Sequence, residues 1–434
     1  MSQVLILGAG FVSGPLVSYL SRKNYSLTVA SHLIHEAEAV ADKYTDVTPI
    51  LLDVADRDAL MAQVKRHDLV VSFVPFAYHE YVAEACLEAA KHLVTASYET
   101  EQMRTFHDEA LAKNICIVNE IGLDPGIDHL SAMQVFDDII EAGSELDSFV
   151  SWCGGIPAPS ANNNPLGYKF SWSPKSVLLA LLNDAKYINN GKSQVIPEEQ
   201  LLLNTEQVQF SESLTLEGYP NRDSTNYVER YDIGHAKKVL RGTLRYQGFA
   251  EILQSCKELQ MLDQQKTVAK QWAGKSWTDY ITSKSPGSLD NFLEQKPSLV
   301  TQALNWLGIT NHSAIIGSTE TMLDAFCELL ISKLTYAEDE ADMVVMQHQF
   351  TSTTASGETE FRTSSLILEG DPQGFSAMAK TVGTPAAIMV DMILTGQVSQ
   401  KGVILPLSKE IYVPMLAELA KEGIHLTESI SINA

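Results

Sequence analysis

The stretch NEIGLDPGIDH, residues 119–129, carries the apolar run ICIVN into the helix-like segment HLSAMQVF and mixes turn residues with titratable ones. Gly122, Pro125 and Gly126 supply the turn, Asp124 is placed to face a cleft, and Asp128 is placed to cap the helix that follows. Two further segments carry reactive groups: TASYE with Ser97 and Tyr98, and SWCGGIPAP with Cys153. A carboxyl, a phenol and a thiol at the ends of strands can move protons once folding brings them to one cleft. Near the start, GAGFVSGP sets Gly8, Gly10 and Gly14 around Phe11 and Val12, directly after a strand. Such glycines let the backbone approach a pyrophosphate, and the helix that follows offers it free N–H groups. The third glycine comes one position later than in GxGxxG, so the placement after a strand carries as much weight as the spacing.

These groups need a scaffold. The runs VLILG, LTVAS, PILLD, LVVSFV, LVTASY and ICIVNE alternate with helical patterns such as DRDALMAQVKRHD. Continuous apolar strands separated by amphipathic helices predict a parallel sheet covered on both faces. Ligands of such sheets bind at the carboxyl ends of the strands, where the reactive segments lie or just beyond. The end of the second strand reads the adenosine ribose, an acid favouring NAD and an arginine NADP. Ser31 and His32 stand there with neither signature. Asp53, ending PILLD, either contacts the adenine or caps the next helix.

From about Glu145 the rhythm changes. LDSFVSWCGGIPAP predicts a strand, SWSPKSVLLALLNDAKYI a helix with Ser173 as cap and Pro174 in its first turn, and VLRGTLRYQGF another strand. Residues 255–335 are nearly all helix-like, after which DMVVMQHQF and TEFRTSSLILEG are expected to rejoin the second domain as strands. The apolar segment GFSAMAKTVGTPAAIMVDMILTG is expected to dock as a helix on the first domain. The expected division is 1–128 with about 375–434 as a dinucleotide-binding domain, 129–254 with about 336–374 as a substrate domain, and 255–335 as a helical domain.

At 434 residues the chain is too long for one ordinary core, and 45% hydrophobic with 20% charged residues suits a globular enzyme. A net charge of −23 speaks against nucleic acid or an anionic membrane as partner. Five cysteines without a CxxC pair read as reduced thiols without a zinc site, and His129, His235 and His348 lack ligand spacing, so no metal is expected. No leader is expected before the first strand, and no apolar run approaches bilayer-spanning length, which together predict a cytoplasmic protein.

NEIGLDPGIDH, CGGIPAP, NPLGYKFSWSP, GYPNRDST and RGTLRYQGF, with DMVVMQHQF, GFSAMAKTVGTP and LSKEIYVPML further on, closely resemble L-glutamate-forming saccharopine dehydrogenases. That family includes fungal saccharopine reductases and the dehydrogenase half of the bifunctional lysine-degrading enzyme of animals and plants; the C-terminal motifs look closer to the animal type. The resemblance implies an α/β homodimer with a variant Rossmann domain, a mixed α/β substrate and dimerisation domain, and a small helical domain. It implies oxidation of saccharopine by NAD or NADP and hydrolysis to glutamate and 2-aminoadipate 6-semialdehyde. Asp124 then corresponds to the acid/base aspartate, Cys153 to the cleft cysteine and Tyr98 to an active-site tyrosine. Gly8, Gly10, Phe11, Val12, Ser31, His32, Asp53, Val74 and Pro75 correspond to the cofactor site.

Saccharopine carries three carboxylates, and guanidinium groups match them bidentately. Arg222 is the first choice; Arg241, Thr243 and Arg245 alternate along one strand and share a face, each arginine either holding substrate or sitting in a structural ion pair. Ser97 and Trp172 complete the expected substrate site. Two residues depart from the family: Glu99 stands where an apolar residue is usual, and His32 where fungal members carry arginine and animal members aspartate. The animal-like C-terminal half tilts the expectation toward NAD. Other readings are a dehydrogenase of another amine–carbonyl adduct, such as the carboxyspermidine type, and a non-catalytic nicotinamide-binding regulator.

Overall fold

The apolar runs of the first third become β1 (Gln3–Leu7), β2 (Ser26–Ser31), β3 (Val47–Leu51), β4 (Leu69–Ser72), β5 (His92–Thr95) and β6 (Cys116–Val118). In this computed structural model, which describes residues 2–211, 213–285 and 288–433, all six pair in parallel. Helices such as Ser13–Arg22, Arg57–Arg66 and His79–Ala89 connect them. Burial of both faces is why these strands read as unbroken apolar runs: β4 and the core of β1 are fully buried, packed into separate clusters above and below the sheet.

The second sheet is built from β7 (Glu145–Pro157), β8 (Ala185–Asn189), β9 (Lys192–Ile196), β10 (Glu206–Ser211), β11 (Leu214–Pro220), β12 (Lys238–Arg245), β13 (Asp342–Thr353) and β14 (Thr359–Glu369). Then β15 (Gly402–Ile404) returns to the first sheet beside β6, giving the order β15-β6-β5-β4-β1-β2-β3. The last strand, β16 (Thr427–Asn433), pairs antiparallel with β14. The second sheet therefore runs β10-β11-β12-β7-β13-β14-β16, with β8 and β9 attached at β12.

Several expectations change here. The end of the chain, assigned to the dinucleotide domain, crosses back to the second sheet at β16. The helix begun at Pro174 stops at Ala180, and after a turn the stretch ends in β8, because AKYIN finds strand partners in β9 and β12. The helical segment starts slightly earlier than expected, with Phe249–Glu258, and continues through Lys266–Trp272, Trp277–Lys284, Leu289–Glu294, Ser298–Trp306 and Met322–Ile331.

The helix Ala377–Leu394 corrects the expectation about apolar runs. With 18 residues and a mean hydropathy of 1.3 it is long and apolar enough to cross a membrane, yet 78% of it is buried inside the protein. Its small residues allow a close approach to the helix Ser13–Arg22: a Cβ on Gly383 would sit 2.4 Å from the Val12 carbonyl oxygen. Asp342, at the start of β13, accepts the N–H groups of Ala377 (2.6 Å) and Met378 (2.9 Å) and so pins the helix start to the second sheet. One helix thus joins both sheets at the mouth of a shared cleft.

Candidate active site

Residues 119–126 leave β6 and turn into the helix Ile127–Glu141, which packs on the second sheet through Phe136 against Phe149 and Phe350. Gly126 has φ +148°, and a Cβ there would lie 2.0 Å from the Gly122 oxygen, so only glycine closes this turn. The tight closure aims Asp124 into a cleft of about 340 Å³ between the two sheets.

The floor of that cleft follows from strand register. Thr243 of β12 lies opposite Tyr219 of β11 and Cys153 of β7, so the three side chains form one row on one face. All three line the cleft with Tyr98, Asp124, Trp172, Arg222 and Arg245. The helix Ala377–Leu394 closes it with Met378 and Val382, and Val12 of the glycine loop reaches it from the first sheet. Trp172 packs against the cores of both the first sheet and the helical segment.

Arg241 behaves differently from its neighbours on β12. Its guanidinium hydrogen-bonds the carboxylates of both Asp124 and Asp128 and lies 4.1 Å from the centroid of the Tyr227 ring. It lines a side cavity of about 250 Å³ behind Tyr98 rather than the main cleft. The expectation that Arg241 holds substrate directly is corrected on this ground: two carboxylates already converge on its Nη2, and it lies outside the main cleft lining. Asp128 does not cap the helix as expected: the N-cap is Gly126, and Asp128, in the first turn, reaches back to accept the Gly126 N–H at 2.6 Å and pairs with Arg241.

Arg245 has no carboxylate partner among the described residues. It is buried, donates to the Leu244 carbonyl at 2.7 Å, keeps an unpaired Nε, and lies 4.9 Å from the Tyr168 ring centroid. Arg222 is exposed, has a left-handed backbone (φ 55°), and sits 5.8 Å from the Tyr98 ring without an ion pair among the described residues. Buried or cleft-lining cations without partners are poised for an anionic ligand.

Burial raises the Asp124 carboxyl to about 6, against the attraction of Arg241 and with the help of Asp128. The Tyr98 hydroxyl donates to Asp124 at 3.5 Å, and burial beside that carboxylate holds Tyr98 well above the usual phenol range. Burial, with Asp124 and Asp128 nearby, keeps Cys153 a neutral thiol. The cleft therefore holds one carboxyl that titrates near neutrality, flanked by two groups that stay protonated.

Below the loop lies a paired network that sequence reasoning missed. Glu120 is fully buried at φ 59°, accepts from Arg230 at 2.9 Å and meets His129 at 2.8 Å. Burial pushes Glu120 up, but the bond and charge of His129, with Arg230, outweigh it and hold it at about 2. Glu99 pairs with Arg104 at 2.7 Å and Arg230 at 3.2 Å, so its departure from an apolar residue is neutralised locally. Partners 110 and 131 residues away in sequence leave no local signal of these pairs. Of the other histidines, His348 bonds Ser131 at 2.8 Å and His235 is exposed. Ser97 stands outside the cleft lining; its carbonyl accepts the Glu120 N–H.

At the dinucleotide end, Gly8 (φ +105°) packs so tightly that a Cβ would lie 2.6 Å from the Phe73 oxygen, while Gly10 faces open space and Phe11 is exposed. The helix Ser13–Arg22 has no side-chain cap and no acid in its first turn; with the Ser13 N–H on the Gly10 carbonyl at 3.3 Å and no N–H at Pro15, the Gly14 N–H and the positive helix end remain for an anion. These features fit a pyrophosphate. Asp53 is exposed and accepts the Ala55 N–H at 2.9 Å; Asp56, not Asp53, caps the next helix. Val74 and Pro75 follow β4 at the rim, half-buried and exposed respectively. His32 is exposed, and Ser31 is buried with its hydroxyl on Glu36.

Comparison with known proteins places this geometry. The family described as saccharopine dehydrogenase NADP binding domain matches residues 4–118, and that described as saccharopine dehydrogenase C-terminal domain matches 122–424. The chain is 38% identical to the saccharopine dehydrogenase [NADP(+), L-glutamate-forming] of Schizosaccharomyces pombe, with 99% of each chain covered. It is also 38% identical to the mitochondrial alpha-aminoadipic semialdehyde synthase of mouse, spanning 47% of that longer protein. The apo saccharopine dehydrogenase (L-Glu forming) of Saccharomyces cerevisiae superposes with a TM-score of 0.89 at 37% identity, covering 99% of this chain and 100% of that one. The tilt toward NAD finds no support in these names, which point to an NADP-binding fold. Two family descriptions covering nearly the whole chain, and a full-length structural match, agree with the cleft just described: this chain belongs to the saccharopine dehydrogenase family.

Proposed function

We propose that the protein is a saccharopine dehydrogenase of the L-glutamate-forming kind, converting saccharopine, an oxidised nicotinamide dinucleotide and water to L-glutamate, 2-aminoadipate 6-semialdehyde and the reduced dinucleotide. The observation that carries this reading is that Asp124, titrating near neutrality, lines one cleft beside the glycine loop together with Arg222 and Arg245, whose guanidinium groups have no carboxylate partner among the described residues. When bound, the nicotinamide supplies the hydride acceptor.

The chain's own groups divide the remaining work. Arg222, Arg245 and Thr243 bind carboxylates, and Trp172, Met378 and Val382 exclude water from the apolar stem of the substrate. The ionised Asp124 takes the proton from the secondary amine, so that its nitrogen lone pair can drive hydride loss from carbon. Asp124 releases that proton to solvent, then accepts one from the water that attacks the imine carbon and returns it to the departing amine. The neutral Tyr98 hydroxyl keeps Asp124 oriented without adding charge, and the Cys153 thiol beside it in the cleft lining stays neutral as well. Arg241, itself anchored by Asp128, holds the carboxylate from behind. The two arginines in the cleft suit a triacid better than a polyamine adduct.

The test is reduced-nicotinamide formation by the purified protein on saccharopine, with glutamate assayed as product. Turnover with stoichiometric glutamate supports the reading. A folded protein that binds the dinucleotide and yields no glutamate overturns it.

A further inference from the structure

We propose that Glu36 selects the dinucleotide for this chain, favouring the form whose adenosine ribose carries a free 2′-hydroxyl over the 2′-phosphorylated form. This rests on the reading above that the glycine loop holds a nicotinamide dinucleotide, and it departs from the NADP binding named in the family description.

The end of β2 is where a doubly wound sheet meets the adenosine ribose. β2 lies beside β1, with Ala30 opposite Leu7 just before the glycine loop. Its last residue, Ser31, donates its hydroxyl to Glu36 Oε2 at 2.7 Å and accepts the Leu33 N–H at 3.1 Å. These two bonds fix the Glu36 carboxylate over the first turn of the helix Ile34–Ala41, leaving its other oxygen free to accept. Vicinal ribose hydroxyls are donors suited to that oxygen.

A 2′-phosphate meets the opposite situation. It brings a charge of about −1.5 to −2 toward a fixed carboxylate. The positive end of the helix Ile34–Ala41, otherwise an anion site, is already complemented by Glu36 itself. Residues 31–41, SHLIHEAEAVA, contain no lysine or arginine, and His32 and His35 are exposed. The neighbouring strand β3 ends beside Ser31 and leads to Asp53, a second exposed acid. Arg57, at the start of the next helix, pairs with Glu84 at 3.4 Å and lies 4.5 Å from the Tyr81 ring centroid. No described cation pairs with Glu36. The arrangement provides acceptors for hydroxyls and no fork for a phosphate.

The experiment is calorimetric titration of the full-length protein with NAD and with NADP, without saccharopine, so that binding is read apart from turnover. The wild type is expected to bind NAD at least about tenfold more tightly than NADP. Glu36→Gln retains an acceptor for Ser31 and removes the charge; it is expected to narrow the ratio by about tenfold, chiefly through tighter NADP binding. Glu36→Ala, checked for native circular dichroism, is expected to narrow it as well. Equal or tighter binding of NADP by the wild type overturns the proposal, as does a ratio unmoved by both substitutions, while leaving the dehydrogenase reading intact. Failure to bind either dinucleotide overturns both.

Discussion

Arg241 and Arg245 stand four residues apart on one strand, facing the same side, and their surroundings are opposite. Around Arg241 every charge is answered: Asp124 and Asp128 on the guanidinium, then Glu120, His129 and Arg230 behind them. Around Arg245 there are rings and a carbonyl, with no carboxylate among the described residues. The contrast teaches how one cleft handles two jobs. The paired region holds a proton acceptor at a useful pKa, and the unpaired region waits for a charge that the ligand brings.

The largest expected effect comes from the paired side. Asp124→Asn is expected to lower turnover by about 10²–10⁴-fold, the usual worth of a positioned base. In the wild type the carboxyl, raised to about 6, must be ionised to take the amine proton, so kcat/KM for saccharopine should climb as pH rises through about 6. That limb should vanish in Asp124→Asn; its survival there assigns the base elsewhere.

Removing Arg241 breaks the pairing itself. Arg241→Met leaves two buried carboxylates without their shared cation and is expected to cost about 3–5 kcal/mol in denaturant unfolding. In whatever fraction folds, the Asp124 limb should shift above its wild-type position, because Arg241 holds that carboxyl down. A limb that stays in place, or moves to lower pH, would contradict the clamp.

Arg245→Met tests the unpaired side. It is expected to raise KM for saccharopine by about 10–100-fold, as loss of one charge-assisted contact does. The melting temperature should not fall, because the residue lost is a buried cation without a partner. A lower melting temperature with unchanged KM would make Arg245 a structural residue. Glu99→Gln should do least: Arg230 keeps Glu120, Arg104 is 60% exposed, and the expected change in stability is within about 1 kcal/mol.

Much of this molecule was readable in advance because much of it is local. The alternation of apolar runs with helices, the glycine turn after β1 and the turn chemistry of residues 119–129 each depend on neighbours in sequence. The fate of AKYIN was not readable: a short apolar run is ambiguous, and β12 and β9 made it a strand. Nor was the return of the last strand to the second sheet, where β14 needed a partner along its edge. The cofactor end shows the same division at smaller scale. Ser31 and His32 stood at the expected position, but the carboxylate that Ser31 holds comes from one turn into the next helix.

The sequence by itself determined the doubly wound first domain, the glycine loop and the residue types at the strand ends, since periodicity and turn preferences act over a few residues. Tertiary structure alone decided which of those residues meet. The row Tyr219–Thr243–Cys153 exists through the register of three strands, and the Arg241 clamp spans 117 residues to Asp124. Pairing of that kind is set by desolvation: buried charges must find partners wherever the packed chain brings them, and those left without one mark where the ligand belongs.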